Sequence, residues 1–236
     1  MKYYNLRTPA TTVRVSQKSF LRTFADTKKN RLKLKIICIG KNYQAAIPRA
    51  SAKPEVPVIF LKPDSSVLTG GNPFFIPEFS GQITIEAELT VRISRLGKYI
   101  PEKFAHKYYD AFSVGVDFTA ADLYSKLSAA GLPVEISKGF DGAAVIGQWI
   151  NKNALPAADE GLKFSMEHNG DHFHEGNSKD MIFGIDKIIS YVSQFYTLKI
   201  GDVIFTGSPV PSDVVKAEDR FTGKLEGKEV FSLKIK

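Results

Sequence analysis

Cysteine is almost missing from this sequence, in which Cys38 is the only one among 236 residues. A single cysteine cannot form an internal disulfide, which fits a reducing compartment. Cys38 also lies inside the apolar run 36–39, and free cysteines in such runs are mostly small buried side chains. We therefore expect Cys38 in the core and not as a catalytic nucleophile.

Long hydrophobic runs are missing as well. No apolar run approaches the roughly 20 residues that a membrane-spanning helix needs, and no apolar stretch typical of a signal peptide follows Met1. The chain is 43% hydrophobic and 24% charged, as is usual for a globular protein. We expect a cytoplasmic protein without a membrane partner, organellar only if the N-terminal segment is a transit peptide.

Acidic residues are scarce at the N-terminus. Residues 1–35 contain ten of the 32 Lys and Arg residues but only one of the 25 acids, Asp26. The net charge of +7 therefore belongs to one end of the chain, which argues against a nucleic-acid partner. We predict a basic, partly ordered segment at residues 1–34, with a short helix near residues 17–25, followed by one domain at residues 35–236.

The clearest local pattern is a strict alternation over residues 83–93, where odd positions are apolar and even positions are polar. This pattern predicts a strand, so Glu86 and Glu88 leave the same face about 7 Å apart. Two carboxylates this close repel each other unless a cation neutralises them, and Mg²⁺, Mn²⁺ or Ca²⁺ is the natural choice. The alternative is a strand with one solvated face, and the pattern alone leaves both open.

Asp117 also has two interpretations. It follows the short apolar run 113–116 and precedes Thr119, which predicts the N-cap of a helix. An acid there is favoured by the exposed backbone N–H groups of the helix. It is equally placed to be a third metal ligand at the end of a strand.

The remaining elements predict an α+β, β-rich domain, since strands dominate, helices connect them and no repeated strand–helix–strand unit is present. Asn169-Gly170 predicts a β-hairpin turn. Helices are predicted at residues 101–112, 119–131 and 185–196. Strands are predicted at residues 35–39, 58–61, 74–76, 83–93, 144–150, 162–167, 203–206 and 230–235.

Seven short motifs, in order along residues 35–236, carry a resemblance. They are Cys-Ile-Gly-Lys-Asn-Tyr at 38–43, Phe-Leu-Lys-Pro at 60–63, Glu-Ala-Glu-Leu at 86–89, Asp-Phe-Thr-Ala at 117–120, Ser-Lys-Gly-Phe-Asp at 137–141, Asp-Met-Ile-Phe at 180–183 and Gly-Asp-Val-Ile-Phe-Thr-Gly-Ser-Pro at 201–209. Their order and spacing resemble the catalytic domain of the fumarylacetoacetate hydrolase family, especially its short single-domain acylpyruvase and oxaloacetate-decarboxylase-like members.

The resemblance implies a fold, a site and a partner. The fold is a mixed β-sandwich roll of the family's C-terminal-domain type, with flanking helices, usually in a homodimer. The divalent metal, Mg²⁺ or else Mn²⁺ or Ca²⁺, would be held by Glu86, Glu88 and Asp117. Lys138 would lie beside it as the catalytic lysine, where the bare sequence allows a solvated surface lysine. Asn42, Lys138 and Ser208 would bind the substrate.

The implied substrate is a small 2-oxo acid that chelates the metal through its carboxylate and keto oxygens. The metal would polarise the ketone and stabilise an enolate, and Lys138 would add a second positive charge where negative charge develops.

Three departures separate the sequence from the family pattern. The family's catalytic histidine and its partner acid are replaced by Ala46 and Arg49. An alanine cannot accept a proton, so this dyad cannot activate water here; Glu55 is the nearest acid. Ala121 replaces an arginine that helps to hold substrate anions, and residues 211–213 replace a Gly-Val-Gly rim.

The histidines offer no obvious substitute. None precedes His106, and His168, His172 and His174 surround the predicted hairpin turn, where we expect solvated side chains. We therefore expect a tautomerase (isomerase) or decarboxylase of a 2-oxo acid, because enolisation needs charge stabilisation more than activated water. The alternatives are a C–C bond hydrolase of an acylpyruvate, and a non-catalytic relative that binds a metal or ligand.

Overall fold

The computed structural model describes residues 6–8, 11–13, 34–47, 52–68, 71–156, 160–210 and 212–236. The chain divides into two compact units, Met1–Lys33 and Leu34–Lys236. The first contains an antiparallel pair of short strands, β1 (Leu6–Thr8) and β2 (Thr11–Val13). The helix predicted near residues 17–25 lies outside the described residues.

A large mixed sheet forms the middle of the second unit. Its strand order is β4-β3-β11-β5-β6-β7, with β12 beside β5 and β8 beside β6. Strands β3 and β11 run parallel, and the other neighbouring pairs are antiparallel. The strands are β3 (Ile36–Gly40), β4 (Val58–Lys62), β5 (Ile83–Ile93), β6 (Tyr109–Ala120), β7 (Ala144–Ile146), β8 (Ile150–Asn151), β11 (Val203–Phe205) and β12 (Asp213–Val214).

A smaller antiparallel sheet packs against it in the order β10-β9-β13-β14. Asn169 and Gly170 join its first two strands with φ angles of 53° and 95°, the pair of positive values that a two-residue hairpin turn requires. The predicted hairpin is confirmed. The strands are β9 (Lys163–His168), β10 (Asp171–Asn177), β13 (Arg220–Leu225) and β14 (Lys228–Lys234).

The main core lies between the two sheets. The odd positions of β5 all point into it, from Ile83 to Ile93, and all are buried. Phe164, Met166 and Phe221 of the small sheet belong to the same core. The predicted β-rich α+β sandwich is therefore confirmed. Within the described ranges, no helix has the length and hydropathy needed to cross a bilayer.

The helices are α1 (Ala121–Ala129), α2 (Glu135–Lys138) and α3 (Ile185–Phe195), and α3 confirms the helix predicted at residues 185–196. The helix predicted at residues 101–112 is wrong: a 3₁₀ turn at Glu102–Lys107 leads directly into strand β6. Long-range pairing with β5 outweighs the helical spacing of the aromatic residues there.

Two smaller predictions also fail. Thr119 belongs to β6, and α1 begins at Ala121 without a side-chain cap. Asp122 accepts hydrogen bonds from the Ser80 hydroxyl and the Gly81 N–H instead of closing a capping box. In place of a strand at residues 74–76, a single bridge joins Phe74 to the C-terminal end of the chain.

Candidate active site

The two longest strands place the three predicted metal ligands side by side. β5 and β6 are antiparallel neighbours, and Glu86 of β5 lies directly opposite Asp117 of β6. Glu88 lies two residues further along β5, so its side chain leaves the same face. The three carboxylates therefore occupy adjacent positions on one face of the large sheet.

This face is buried. Glu88 is 3% exposed and Thr90 is fully buried, because β11 pairs with β5 and sets Phe205 beside Thr90. The interpretation of β5 as a strand with one solvated face is wrong, and Cys38 is a core residue as expected. A second, smaller hydrophobic cluster is formed by residues of the large sheet's own strands β3, β7 and β11. It consists of Ile36, Cys38, Ala144, Val203 and Phe205.

Two lysines flank Asp117. Lys62, the last residue of β4, places Nζ 2.7 Å from Asp117 Oδ1, and both side chains are buried. Lys138, the last residue of α2, places Nζ 3.1 Å from Asp117 Oδ2 and 3.6 Å from Glu86 Oε2. Its ammonium group also lies 5.0 Å from the centre of the Phe60 ring. Lys138 thus belongs to the carboxylate cluster and is not a solvated surface lysine.

The charges in this cluster shift one another's pKa values. Burial alone would raise the pKa of Asp117, but the ammonium groups of Lys138 and Lys62 outweigh it and hold that pKa below its ordinary value. Burial, and then repulsion by Asp117 and Glu86, raises the pKa of Glu88 well above its ordinary value. Burial opposes the charged form of Lys138, whereas Asp117 and Glu86 raise its pKa, so the ammonium form prevails.

The donor set suits a hard divalent cation. All three acidic residues offer carboxylate oxygens, and with all three ionised they leave one excess negative charge over the two lysines. Asp117 Oδ1 is buried and has no hydrogen-bond partner in the described part of the chain, since Lys62 approaches it outside hydrogen-bonding directions. No ready-made coordination shell is present among the described residues, and Lys138 contacts both Glu86 and Asp117. The excess charge and the all-oxygen donor set nevertheless fit such a cation.

The turn after β11 closes one end of the cluster. The Gly207 N–H donates to Glu88 Oε2 at 2.6 Å. Gly207 has a φ of 97°, and a Cβ there would lie 2.8 Å from the Ile39 carbonyl oxygen, so only glycine fits. The hydroxyl of Ser208 donates to the Val210 carbonyl at 3.0 Å. A substrate contact by Ser208 stays a prediction, because its hydroxyl is engaged within its own turn here.

Asn42 links three parts of the site. Its Nδ2 donates to the carbonyl oxygens of Thr206 at 2.8 Å and of Phe183 at 3.1 Å, and its Oδ1 accepts from the Phe183 N–H at 2.9 Å. The side chain is fully buried. These bonds hold the end of β3 against the turn after β11, so substrate binding by Asn42 also stays a prediction.

Lys62 is the member of the cluster that sequence reasoning missed. Its ammonium group also donates to the carbonyl oxygens of Phe118, at 3.1 Å, and of Lys138. In the sequence it ends an apolar strand before Pro63, where a lysine usually extends to solvent. The Phe-Leu-Lys-Pro motif was the available signal, but only the fold shows that this lysine turns inward.

A cavity of about 550 Å³ opens onto the cluster. Glu86 and Lys138 lie at its floor with Thr84 and Thr119, and α1, α2 and β4 form its walls. A larger cavity, of about 980 Å³, lies along the small sheet and includes none of the predicted site residues. The smaller cavity is therefore the candidate active site.

The family's dyad has no counterpart in the described residues. Ala46 is half-buried in a 3₁₀ turn, Glu55 is exposed, and Arg49 lies outside the described residues. Ala121, in the slot of the family's arginine, lines the wall of the cavity.

The histidine cluster differs from expectation. His172 is exposed, as predicted for a solvated turn, but His174 is 4% exposed and its Nδ1 has no partner among the described residues. His168 stacks on the Phe221 ring and pairs with Asp219 at 2.9 Å. The solvated interpretation is therefore wrong for His174, which lines neither of these two cavities.

Comparison with known proteins places this geometry in a family. Residues 35–232 match the model described as fumarylacetoacetate (FAA) hydrolase C-terminal. An oxaloacetate tautomerase of Arabidopsis thaliana, FAHD1, mitochondrial, is 37% identical over 194 residues, which cover 82% of this chain and 86% of the relative. The oxaloacetate tautomerase YcgM of Escherichia coli is 32% identical over 194 residues, which cover 82% of this chain and 89% of the relative.

A solved structure agrees in fold. The crystal structure of fumarylpyruvate hydrolase from Pseudomonas aeruginosa, in complex with Mn²⁺ and pyruvate, matches with a TM-score of 0.77. It is 28% identical in sequence, and the match covers 85% of this chain and 88% of that one.

Proposed function

The chain belongs to the fumarylacetoacetate hydrolase family, and on that basis we propose that it is a metal-dependent enzyme that interconverts the keto and enol forms of a 2-oxo acid. The carrying observation is the cluster of Glu86, Glu88 and Asp117 with the ammonium groups of Lys62 and Lys138. Glu86 and Lys138 line an open cavity, and Glu88, Asp117 and Lys62 are buried beside them. The tautomerase names of the relatives from Arabidopsis thaliana and Escherichia coli support the same reaction.

Glu86, Glu88 and Asp117 would hold a divalent cation. When bound, it would supply a Lewis acid that polarises the keto oxygen and stabilises the negative charge of an enolate. Mg²⁺ or Mn²⁺ is the proposed ion, since the set offers only oxygen ligands and a fumarylpyruvate hydrolase of this fold binds Mn²⁺.

Lys138 would stabilise negative charge without taking up a proton. Asp117 and Glu86 raise the pKa of Lys138, so it remains an ammonium ion at neutral pH. Its side chain is 15% exposed and lines the cavity, so a substrate oxygen can approach Nζ directly. A fixed positive charge in a buried site stabilises a developing enolate far more than it would in water.

Tautomerisation suits the residues that are present better than hydrolysis does. Hydrolysis of a C–C bond needs an activated water, and Ala46 cannot act as a base. Moving a proton between C3 and the keto oxygen needs no water nucleophile, because solvent in the open cavity can carry the proton. Decarboxylation of the same acid would pass through the same stabilised charge.

The test is turnover of metal-loaded protein on oxaloacetate tautomerisation and decarboxylation, and on acetylpyruvate cleavage. We expect tautomerisation, and a loss of at least a hundredfold in Glu86→Gln and in Lys138→Ala, about 3 kcal/mol of transition-state stabilisation. Lys98→Ala is the matched control, because Lys98 donates to the Gln194 carbonyl oxygen, lies over the Tyr99 ring and does not line the cavity. Metal binding without turnover of any substrate would favour a non-catalytic relative, and cleavage alone would favour the hydrolase.

The finer parts of the proposal concern assembly and domain layout. We propose a homodimer whose catalytic domain is residues 35–236, after a basic segment at residues 1–34. Family resemblance supports the dimer, and light scattering of the purified full chain would test it. A monomeric mass at micromolar concentration would reject it.

A further inference from the structure

The cavity above the carboxylate cluster has a polar floor and largely apolar walls. Val58 and Phe60 stand on one side, from β4, and Ala121 and Tyr124 on the other, from α1, while Val134 lies on the approach to α2. Val58 is 43% exposed and Tyr124 40% exposed. Exposed apolar side chains that line a concave site usually mark the place where an apolar part of a ligand is buried.

Charged groups are concentrated at the floor and rim. Lys138, at the floor, is already paired with Asp117 and Glu86. The other charged side chains that line the cavity in the described residues are Lys41 and Glu135, which are exposed and of opposite sign. Within the part of the chain that the structure describes, the cavity walls therefore offer no buried cation to a second carboxylate on the substrate.

We infer that, granted the proposed function, the preferred substrate is a 2-oxo monocarboxylic acid with an uncharged, apolar substituent at C3, and not a dicarboxylic acid such as oxaloacetate. The 2-oxo acid group would lie at the floor near Lys138, and the substituent would lie between Val58 and Tyr124.

Desolvation sets the direction of this preference. A second carboxylate placed against Val58 and Tyr124 would lose water, and the described wall residues would give it no buried cation in return, since Lys41 is exposed to solvent. An aryl or alkyl substituent in the same place would bury its own surface together with that of the two walls. Apolar pockets typically discriminate by about 10- to 200-fold, and that is the range we expect here.

The reaction itself is unchanged by the substituent. The C3–H bond breaks and its electron pair forms the C2=C3 double bond, while the keto oxygen gains a proton. The enol has the same composition as the ketone, so no oxidant, reductant or second substrate is needed.

Phenylpyruvate is a suitable probe, because its ring is apolar and its enol absorbs in the ultraviolet. We expect kcat/KM for its tautomerisation, measured with metal-loaded protein, to exceed that for oxaloacetate by tenfold or more. Equal values, or a preference for oxaloacetate, would overturn the inference and leave the proposed function intact.

A charge placed in the wall tests where the preference arises. Ala121→Arg should shift the ratio of the two kcat/KM values towards oxaloacetate by at least tenfold. Ala130→Arg adds the same charge at the C-terminal end of α1. Ala130 is exposed and does not line the cavity, so this variant should leave the ratio unchanged. Ser125→Lys is a second wall variant if the first does not fold. An unchanged ratio in a folded wall variant would contradict the role of this wall.

Binding of two unreactive acids separates specificity from catalysis. Benzoylformate and ketomalonate are both 2-oxo acids without a C3–H bond, and only the second carries another carboxylate. Calorimetry on the metal-loaded protein should show at least tenfold tighter binding of benzoylformate. That result without turnover of any substrate would retain the specificity and reject the proposed reaction. Tighter binding of ketomalonate would reject the specificity whether or not turnover is seen.

Discussion

Replacing Lys62 by methionine tests whether the buried cation holds the site together. Lys62 pairs with Asp117 at 2.7 Å and donates to the carbonyl oxygens of Phe118 and Lys138. Methionine has a similar length but no charge and no donor. The variant therefore leaves a buried carboxylate with one partner and two carbonyl groups without their ammonium donor.

Lys62→Met should lose a large part of the free energy of unfolding. Removing one partner of a buried ion pair typically costs about 3–5 kcal/mol, because the other charge stays buried. Since the free energy of unfolding of a natural protein is about 5–15 kcal/mol, Lys62→Met should be marginally stable. Removing both charges in Lys62→Met/Asp117→Asn should cost about 2 kcal/mol less than the sum of the single changes, because neither charge is left unpaired.

Urea unfolding of the metal-free protein would measure each free energy. Lys224→Met is the matched control: Lys224 also pairs with an acid, Glu167, but both side chains are 30% exposed, so the loss should stay at or below about 1 kcal/mol. A loss below 1 kcal/mol in Lys62→Met, or single losses that simply add in the double variant, would refute this account of the buried pair.

Three further predictions concern the turn, a buried histidine and the metal. Gly207→Ala should destabilise the protein by about 1–3 kcal/mol in urea unfolding, because a Cβ would lie 2.8 Å from the Ile39 carbonyl at a φ of 97°; an unchanged free energy would contradict this. Burial lowers the pKa of His174 to about 4, against attraction from Asp213, so the folded state resists protonation. Stability should therefore fall as pH drops from 6.5 towards 4, by about 2 kcal/mol more than in His174→Gln, and parallel pH curves would refute it. Mg²⁺ or Mn²⁺ at a hundredfold excess over its dissociation constant should raise the free energy of unfolding by about 2.7 kcal/mol in wild type; at the same concentration Glu86→Gln should gain much less, and equal gains would place the ion elsewhere.

The parts of the site that lie in one strand could be predicted from the sequence. The alternation over residues 83–93 fixed which side chains share a face, and the hairpin turn at Asn169 and Gly170 needed only its two residue types. Local pattern was sufficient in both cases, because strand period and turn conformation depend on adjacent residues.

The parts of the site that depend on the register between strands could not be predicted from the sequence. Asp117 meets Glu86 because β6 pairs with β5 over more than ten residues, and a shift of one position would place its side chain on the other face. The same pairing explains why the last residues of the helix predicted at 101–112 belong to strand β6. The inward path of Lys62 and the burial of His174 likewise follow from elements that are distant in sequence, and only the resemblance to a family brought Asp117 and Lys138 into the predicted site.

The location of the charged groups bears on which reaction this chain can retain. Glu86, Glu88 and Asp117 are fixed by the central strands β5 and β6 of the large sheet. Lys62, at the end of β4, reaches them from the edge of that sheet and binds the backbone carbonyl of Lys138. Ala46, by contrast, lies in a short 3₁₀ turn beyond the end of β3. A change of side chain in such a turn can remove an acid–base group while the strand pairing stays unchanged, because the turn contributes no strand to the sheet. Stabilisation of an enolate draws only on the sheet and the lysine beside it, whereas hydrolysis also needs a base from the turn. The architecture thus favours tautomerisation for a physical reason that is independent of the names of the relatives.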